Sequence, residues 1–240
     1  MRTYKPTETQ RKFAREVGSV VLGVLIALGI GEIAEAVRWK LRVDSSVAAM
    51  TSELGDNRLI MLERATYQPC VDNRLAEIGL LLSDARKTSR LPLVQHLGKP
   101  GARLMQTAAF DVAKSEGIPL HMDRTQARGL AWLYGASDTF VGFAEKERDY
   151  WSTLTLLENA PGPISDDLLT DLLHAWAGAS REGYSVGMLA NQVGAALAEG
   201  GVPVGYDEET PNRKALAKSL QDASLCRPLL VDGKPFVRPA

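Results

Sequence analysis

Two patterns in the 240-residue chain have residue types and spacings that could do chemistry. The first is GYSVG at 183–187, which matches the G-x-S-x-G nucleophile elbow. There Ser185 would stand on a sharp strand-to-helix turn and be activated by a later histidine. Both conditions fail in the sequence. HAWAGASRE just before it has helical character, and the three histidines, His96, His121 and His174, all precede Ser185. The small residues around Ser185 suit a close helix crossing or a bend. The second pattern is Asp167, Asp171 and His174, whose spacings of four and three put two carboxylates and an imidazole on one helix face within reach of a metal. Leu168, Leu169, Leu172, Leu173 and Trp176 occupy the opposite face, which is the layout of an ordinary half-exposed helix. No other local cluster adds ligands, and the Glu-x-x-His pairs of di-iron bundles are absent. His96 and His121, near chain breaks, read as surface or satisfied histidines. The expectation is no cofactor, no metal and no catalytic residue, hence a non-enzymatic protein.

The only cysteines are Cys70 and Cys226. There is no C-x-x-C and no histidine near either one, so a metal or thioredoxin-like site has little support. A structural disulfide fits an oxidising compartment, with two buried free thiols as the alternative.

The element that would place everything else is SVVLGVLIALGIGEIAEA, residues 19–36. Val17 to Gly31 is uncharged for 15 residues, roughly 22 Å as a helix, which is short of a hydrocarbon core of roughly 30 Å. Ile33, Ala34, Ala36 and Val37 extend it to 21 residues, interrupted by Glu32 and Glu35. That length spans a bilayer. Phe13 and Trp39, 26 residues apart, would sit roughly 39 Å apart, near the separation of the two interfacial aromatic belts. Glu32 and Glu35 then lie near Trp39 at the outer interface, where a carboxylate reaches headgroups and water. Ser19, Gly23, Ala27 and Gly31 recur every fourth residue, and Glu35 continues the series. Such a small-residue stripe forms a shallow groove for a second helix, with Glu35 ready to receive a polar or cationic group. The alternative is the ordinary Gly and Ala content of a membrane helix, with carboxylates where the chain leaves the lipid.

Five basic residues (Arg2, Lys5, Arg11, Lys12, Arg15) precede the span and three (Arg38, Lys40, Arg42) follow it, which favours a cytoplasmic N-terminus. The division expected is a cytoplasmic tail at 1–16, a transmembrane helix at 17–37 and a periplasmic domain at 38–240. A cleaved signal peptide, with Ala34-Glu35-Ala36 at its processing site, has a similar layout. Glu32 and Glu35 speak against it, as does the helical pattern running on into AVRWKLRVDSSVAAMTSEL. Lys plus Arg (28) nearly cancels Asp plus Glu (29) without a basic stripe, which sets nucleic-acid binding aside.

Beyond the span the chain reads as all-α, a helical bundle with an extended C-terminal tail and no sustained strand alternation. Val43, Val47, Met50, Leu54, Ile60 and Met61 predict a stem reaching about Ala65 and disturbed at Gly55. A second helix after Pro69, carrying Val71, Leu75, Ile78, Leu81 and Leu82, is expected to return antiparallel to it. RLPLVQHLGKPG breaks the pattern. A helix near Gly101–Glu116 should stop at Gly117, and Asp123 with Gln126 has capping-box spacing. Leu133, Phe140, Phe143, Tyr150, Leu154 and Leu157, with Trp132, Trp151 and Trp176, mark the expected core. Packing is favoured there over a ligand pocket. Ser165 should cap a helix continuing to about Glu199, Thr210-Pro211 should start a last one, and RPLLVDGKPFVRPA should lie extended.

FAREVGSVVLGVLIALGIGEIAEAVRW, with PCVDNRLAEI and LCRPL, resembles a group of uncharacterised bacterial single-pass membrane-anchored proteins that begin with a VLGVLIAL-type helix. The resemblance implies the same placement in the bacterial inner membrane and adds support for pairing Cys70 with Cys226; it implies no activity. The function expected is an accessory or scaffolding subunit of an inner-membrane complex. Its partners would be the lipid bilayer and other membrane subunits or a second copy of the chain. The alternatives are a periplasmic small-ligand-binding module and an enzyme with an unrecognised site.

Overall fold

The computed structural model describes residues 8–101, 103–203 and 224–237. The expected helix at Thr210-Pro211 and residues 1–7 of the expected N-terminal tail lie outside them. The described chain is all-α with a few two- and three-residue strands. Helix α1, Glu8–Thr88, is 81 residues long, about 120 Å at 1.5 Å per residue. It runs unbroken through Ala34-Glu35-Ala36, through Gly55 and through Pro69. The expected end near Ala65 and the antiparallel return after Pro69 are therefore incorrect. Pro69 lies on the exposed face, and its missing N–H leaves the carbonyl one turn earlier without an intrahelical partner. Val71, two residues on, is fully buried, so packing carries the helix on past the break in its ladder.

Up to Arg38 the described side chains of α1 are exposed. The first contact with the body is Trp39, whose ring stacks on His121 at 3.6 Å between centroids. His121 is thus a packing residue. From there α1 is one member of a three-helix body completed by α3, Arg124–Leu154, and α4, Asp166–Glu199. Tyr134 meets Glu53 and Glu147 meets Arg64, so α3 runs parallel to α1. Trp176 meets Leu75 while Gly183 meets Arg64, so α4 runs antiparallel to α1 and provides the return predicted for residues after Pro69.

The helix starts follow their caps. Asp123 Oδ1 accepts from the backbone N–H of Thr125 and Gln126, and Ser165 Oγ accepts from that of Leu168, with Asp166 and Asp167 in the first turn. Helix α2, Ala108–Ser115, stops where Gly117 takes the left-handed φ of 72°, as expected, but begins seven residues later than expected. Asn57, fully buried, explains the late start. Its amide binds both the N–H and the C=O of Gln106, at 2.9 and 2.8 Å, which keeps residues 103–107 out of a helix. Glu53 Oε2 accepts the Ala109 N–H, and its other oxygen accepts the Tyr134 hydroxyl at 2.7 Å.

The segments read as breaks form small sheets. Strand β1, Arg90–Leu91, pairs with β3, Gly162–Pro163, while β2, Val94–His96, pairs with β4, Leu230–Val231, which pairs with β5, Lys234–Pro235. The tail expected to lie extended is thus a hairpin turned at Asp232-Gly233, both at positive φ.

The apolar interior has two parts. Nearer the free end of α1 lie Met50, Leu54, Met61, Tyr134, Phe140, Val186 and Val193; farther along lie Val71, Leu75, Ile78, Leu82, Trp151, Leu154 and Leu172. Of the expected core tryptophans only Trp151 is buried; Trp132 is 55% exposed, and Trp176 is half-buried and donates to Leu75 O at 2.8 Å. Gly178 is where α4 meets α3 most tightly, since a Cβ there would lie 2.5 Å from the Tyr150 ring. Gly178→Val is expected to cost about 1–3 kcal/mol by overpacking, read as a lower urea midpoint. Gly135→Ala, at an open position of α3, should cost nothing.

Candidate functional site

Between the two apolar parts lies a polar layer. Arg64 Nη2 and Glu147 Oε1 form an ion pair at 2.9 Å with both side chains about 3% exposed. Arg64 also donates to Gln68 Oε1 at 2.8 Å and to Gly183 O at 3.2 Å. Gly183 makes this possible, because a Cβ there would lie 2.8 Å from Glu147 Oε1. Burial pushes the Glu147 carboxyl above its ordinary range, and the Arg64 guanidinium opposes that shift.

Beside this pair is a cavity of about 560 Å³, within the usual size of small-molecule sites. It is enclosed by α1 with Ile60, Glu63 and Tyr67; by α3 with Phe140, Ala144, Glu147, Arg148 and Trp151; by α4 with Val186; and by residues 99–101, 103 and 224–226. On that side Arg103 pairs with Glu63 at 2.9 Å, and the Tyr67 hydroxyl donates to Gly101 O at 3.2 Å. The far wall depends on Gly98, at φ 67°, where a Cβ would lie 2.9 Å from Leu225 N. The disulfide Cys70–Cys226, with S–S 2.09 Å, fixes the 224–226 turn to α1. Arg74, fully buried, donates to His96 O, Ser224 O and Arg227 O at the same junction.

Two buried polar atoms of residues lining the cavity, Glu63 Oε1 and Trp151 Nε1, make no hydrogen bond of good geometry among the described residues. The acceptor facing Trp151 Nε1–H is the Glu147 carboxylate, whose pKa the indole draws down against its burial. Burial holds the Glu63 carboxyl above its ordinary range, against the pull of Arg103. Orphaned buried groups of this kind are rare in proteins, and each costs stability.

The other candidate is the uncovered start of α1. Its apolar stretch is long and apolar enough to cross a membrane, with none of its richest 18 residues buried. Ser19 Oγ bonds back to Glu16 O, and at Gly23 and Gly31 nothing lies within 4 Å of a built Cβ. Phe13, Ala27, Glu32 and Glu35 are exposed on the same free helix. No family model, curated protein or solved structure matches the chain. The likeness of residues 13–39 to anchored bacterial proteins therefore brings no residue role with it.

Of the sequence motifs, GYSVG lies in the middle of α4, with Ser185 Oγ bonded back to Arg181 O and the flanking glycines in helix contacts. No strand or turn raises Ser185. Asp167, Asp171 and His174 share the exposed face of α4, and no group of three or more metal-binding side chains converges among the described residues. Sequence reading does not find the cavity residues Glu63, Arg64, Tyr67, Arg103 and Glu147. The one available signal is the run of charge at Glu63-Arg64 within an otherwise apolar face of the stem.

Proposed function

We propose that the protein is a single-pass accessory or scaffolding subunit of a bacterial inner-membrane complex, with residues 17–37 in the bilayer, its N-terminus cytoplasmic and its helical body in the periplasm. The observation that carries this reading is the continuity of α1. A fully exposed, membrane-length apolar stretch runs without interruption into the helix that organises the body's core. Left in water, that stretch would be an exposed apolar surface far larger than soluble proteins tolerate. The helix has no break at which the body swivels, so the body's height and rotation follow from the anchor. The charge asymmetry of the flanks supports the orientation, and the Cys70–Cys226 bridge fits the oxidising side. The open stripe of Ser19, Gly23, Ala27 and Gly31, with Glu35 beyond it, is the surface assigned to a neighbouring helix.

Gly23→Leu and Ala27→Leu should leave the protein in the carbonate-resistant membrane fraction yet reduce co-purification of companion subunits, or of a tagged second copy, by about tenfold or more. Recovery of the intact chain in the soluble fraction would overturn the anchoring. Unchanged association in both variants would overturn the role of the stripe.

A second reading, a membrane-anchored small-ligand-binding module, is favoured by one specific observation, the cavity beside Trp151 with the unpartnered buried Glu63 oxygen in its lining.

A further inference from the structure

We infer that the cavity binds an amphiphilic organic acid, with an apolar chain, a carboxylate head and a hydrogen-bond donor next to it; this rests on the ligand-binding reading just given. The cavity's composition selects this class. Ile60, Phe140, Ala144, Val186 and Leu225 make an apolar lining that accepts a hydrocarbon body. Its two carboxylates are already neutralised, Glu147 by Arg64 and Glu63 by Arg103, each at 2.9 Å. Lys99 and Arg148 also line the cavity, both are exposed at its rim, and neither has an ionic partner among the described residues. The lining therefore carries two positive charges more than it balances, and an anionic head at the rim would balance them.

The orphaned Glu63 oxygen defines the rest of the ligand, because Trp151 Nε1–H already faces the Glu147 carboxylate. Glu63 Oε1 needs a donor. A purely hydrocarbon guest would leave it unsatisfied, and so would a simple fatty acid. An acylated amino acid has a carbonyl, an N–H and a carboxylate within a few bonds of each other, followed by an apolar chain. Those groups are the ones that the lining's charge, its Glu63 oxygen and its apolar residues call for.

The test uses the full chain in lipid nanodiscs, with empty nanodiscs subtracted, and calorimetric titration with N-octanoylglycine. Two comparison probes each remove one feature: N-octanoylglycinamide lacks the charge, and N-octanoylsarcosine lacks the N–H. Saturable binding of the glycine conjugate is expected, with each comparison probe about tenfold weaker or worse. In Lys99→Gln with Arg148→Gln, both at exposed positions that do not threaten folding, the preference for charge should disappear while amide binding stays the same. Ala144→Phe, which fills the cavity, should abolish binding of all three probes while the Cys70–Cys226 bridge still forms.

Equal affinity for the glycine conjugate and its amide would overturn the assigned class and leave the cavity reading intact. Absence of binding by every probe, or unchanged binding in a folded Ala144→Phe, would overturn the cavity as a site. If Ala144→Phe does not fold, the charge-removal pair decides between these outcomes.

Discussion

Arg64→Leu is expected to destabilise the body by about 3–5 kcal/mol, because it leaves the buried Glu147 carboxylate without its counter-charge. The pair is 3% exposed on both sides, so water cannot take over the role of the guanidinium. The same substitution also removes the partner of Gln68 Oε1. Replacing both members, as Arg64→Leu with Glu147→Leu, should recover most of the loss, since an apolar pair has no desolvated charge to compensate. The deficit of the single variant should also depend on pH. Burial already raises the Glu147 pKa, with Arg64 opposing; removal of Arg64 leaves the burial unopposed and the pKa higher still. A carboxyl whose folded pKa exceeds its unfolded value favours the folded state at low pH, and that contribution is lost as pH rises through the folded pKa. The deficit of Arg64→Leu relative to wild type should therefore be smallest near about pH 5 and grow toward neutrality. Urea melts in a mild detergent across that range, with the double variant as the flat reference, would measure it. A deficit that does not change with pH would mean that packing around the introduced leucine, not the stranded charge, sets the cost.

The features legible in the sequence are those that rest on contacts within a turn or two. Asp123 and Ser165 cap where their side chains reach backbone three residues on, and Gly117 stops α2 because it accepts a left-handed φ. The all-α class follows from those signals and from the apolar faces between them. Where the sequence misleads, distant partners decide the outcome. Pro69 predicts a break on local grounds, yet the burial of Val71 and the packing of α4 along α1 outweigh one missing hydrogen bond. Asn57 prevents helix at 103–107 from 49 residues away. The aromatic spacing of α3 identifies Trp151 correctly but also suggests Trp132, which lies on the solvent side. The cavity is illegible for the same reason. Its walls come from residues near 60, 100, 145, 186 and 225, which no spacing in the sequence links, and only the closed fold shows which of their buried polar atoms lack partners.

The disulfide links these arguments. Cys70 and Cys226 are 156 residues apart, so joining them removes a large part of the unfolded chain's freedom. The double variant Cys70→Ser with Cys226→Ser is expected to lose about 2–5 kcal/mol. Dithiothreitol should lower the wild-type melting temperature to the variant's value and leave the variant unmoved. The bridge can act in two ways, and the structure separates them. One is global, through the entropy of the unfolded chain. The other is local, because Ser224, Leu225 and Cys226 form a wall of the cavity. Arg74 holds the same turn through the carbonyls of Ser224 and Arg227 and remains in place when the bridge is removed. The β4–β5 hairpin also stays paired to β2. The wall should therefore survive reduction, and limited proteolysis of the folded variant at a temperature well below its melting point should leave residues 227–237 protected. Rapid cleavage there, with the rest of the body intact, would show that the bridge and not Arg74 seats the C-terminal segment. In that case the cavity would be complete only in an oxidising compartment.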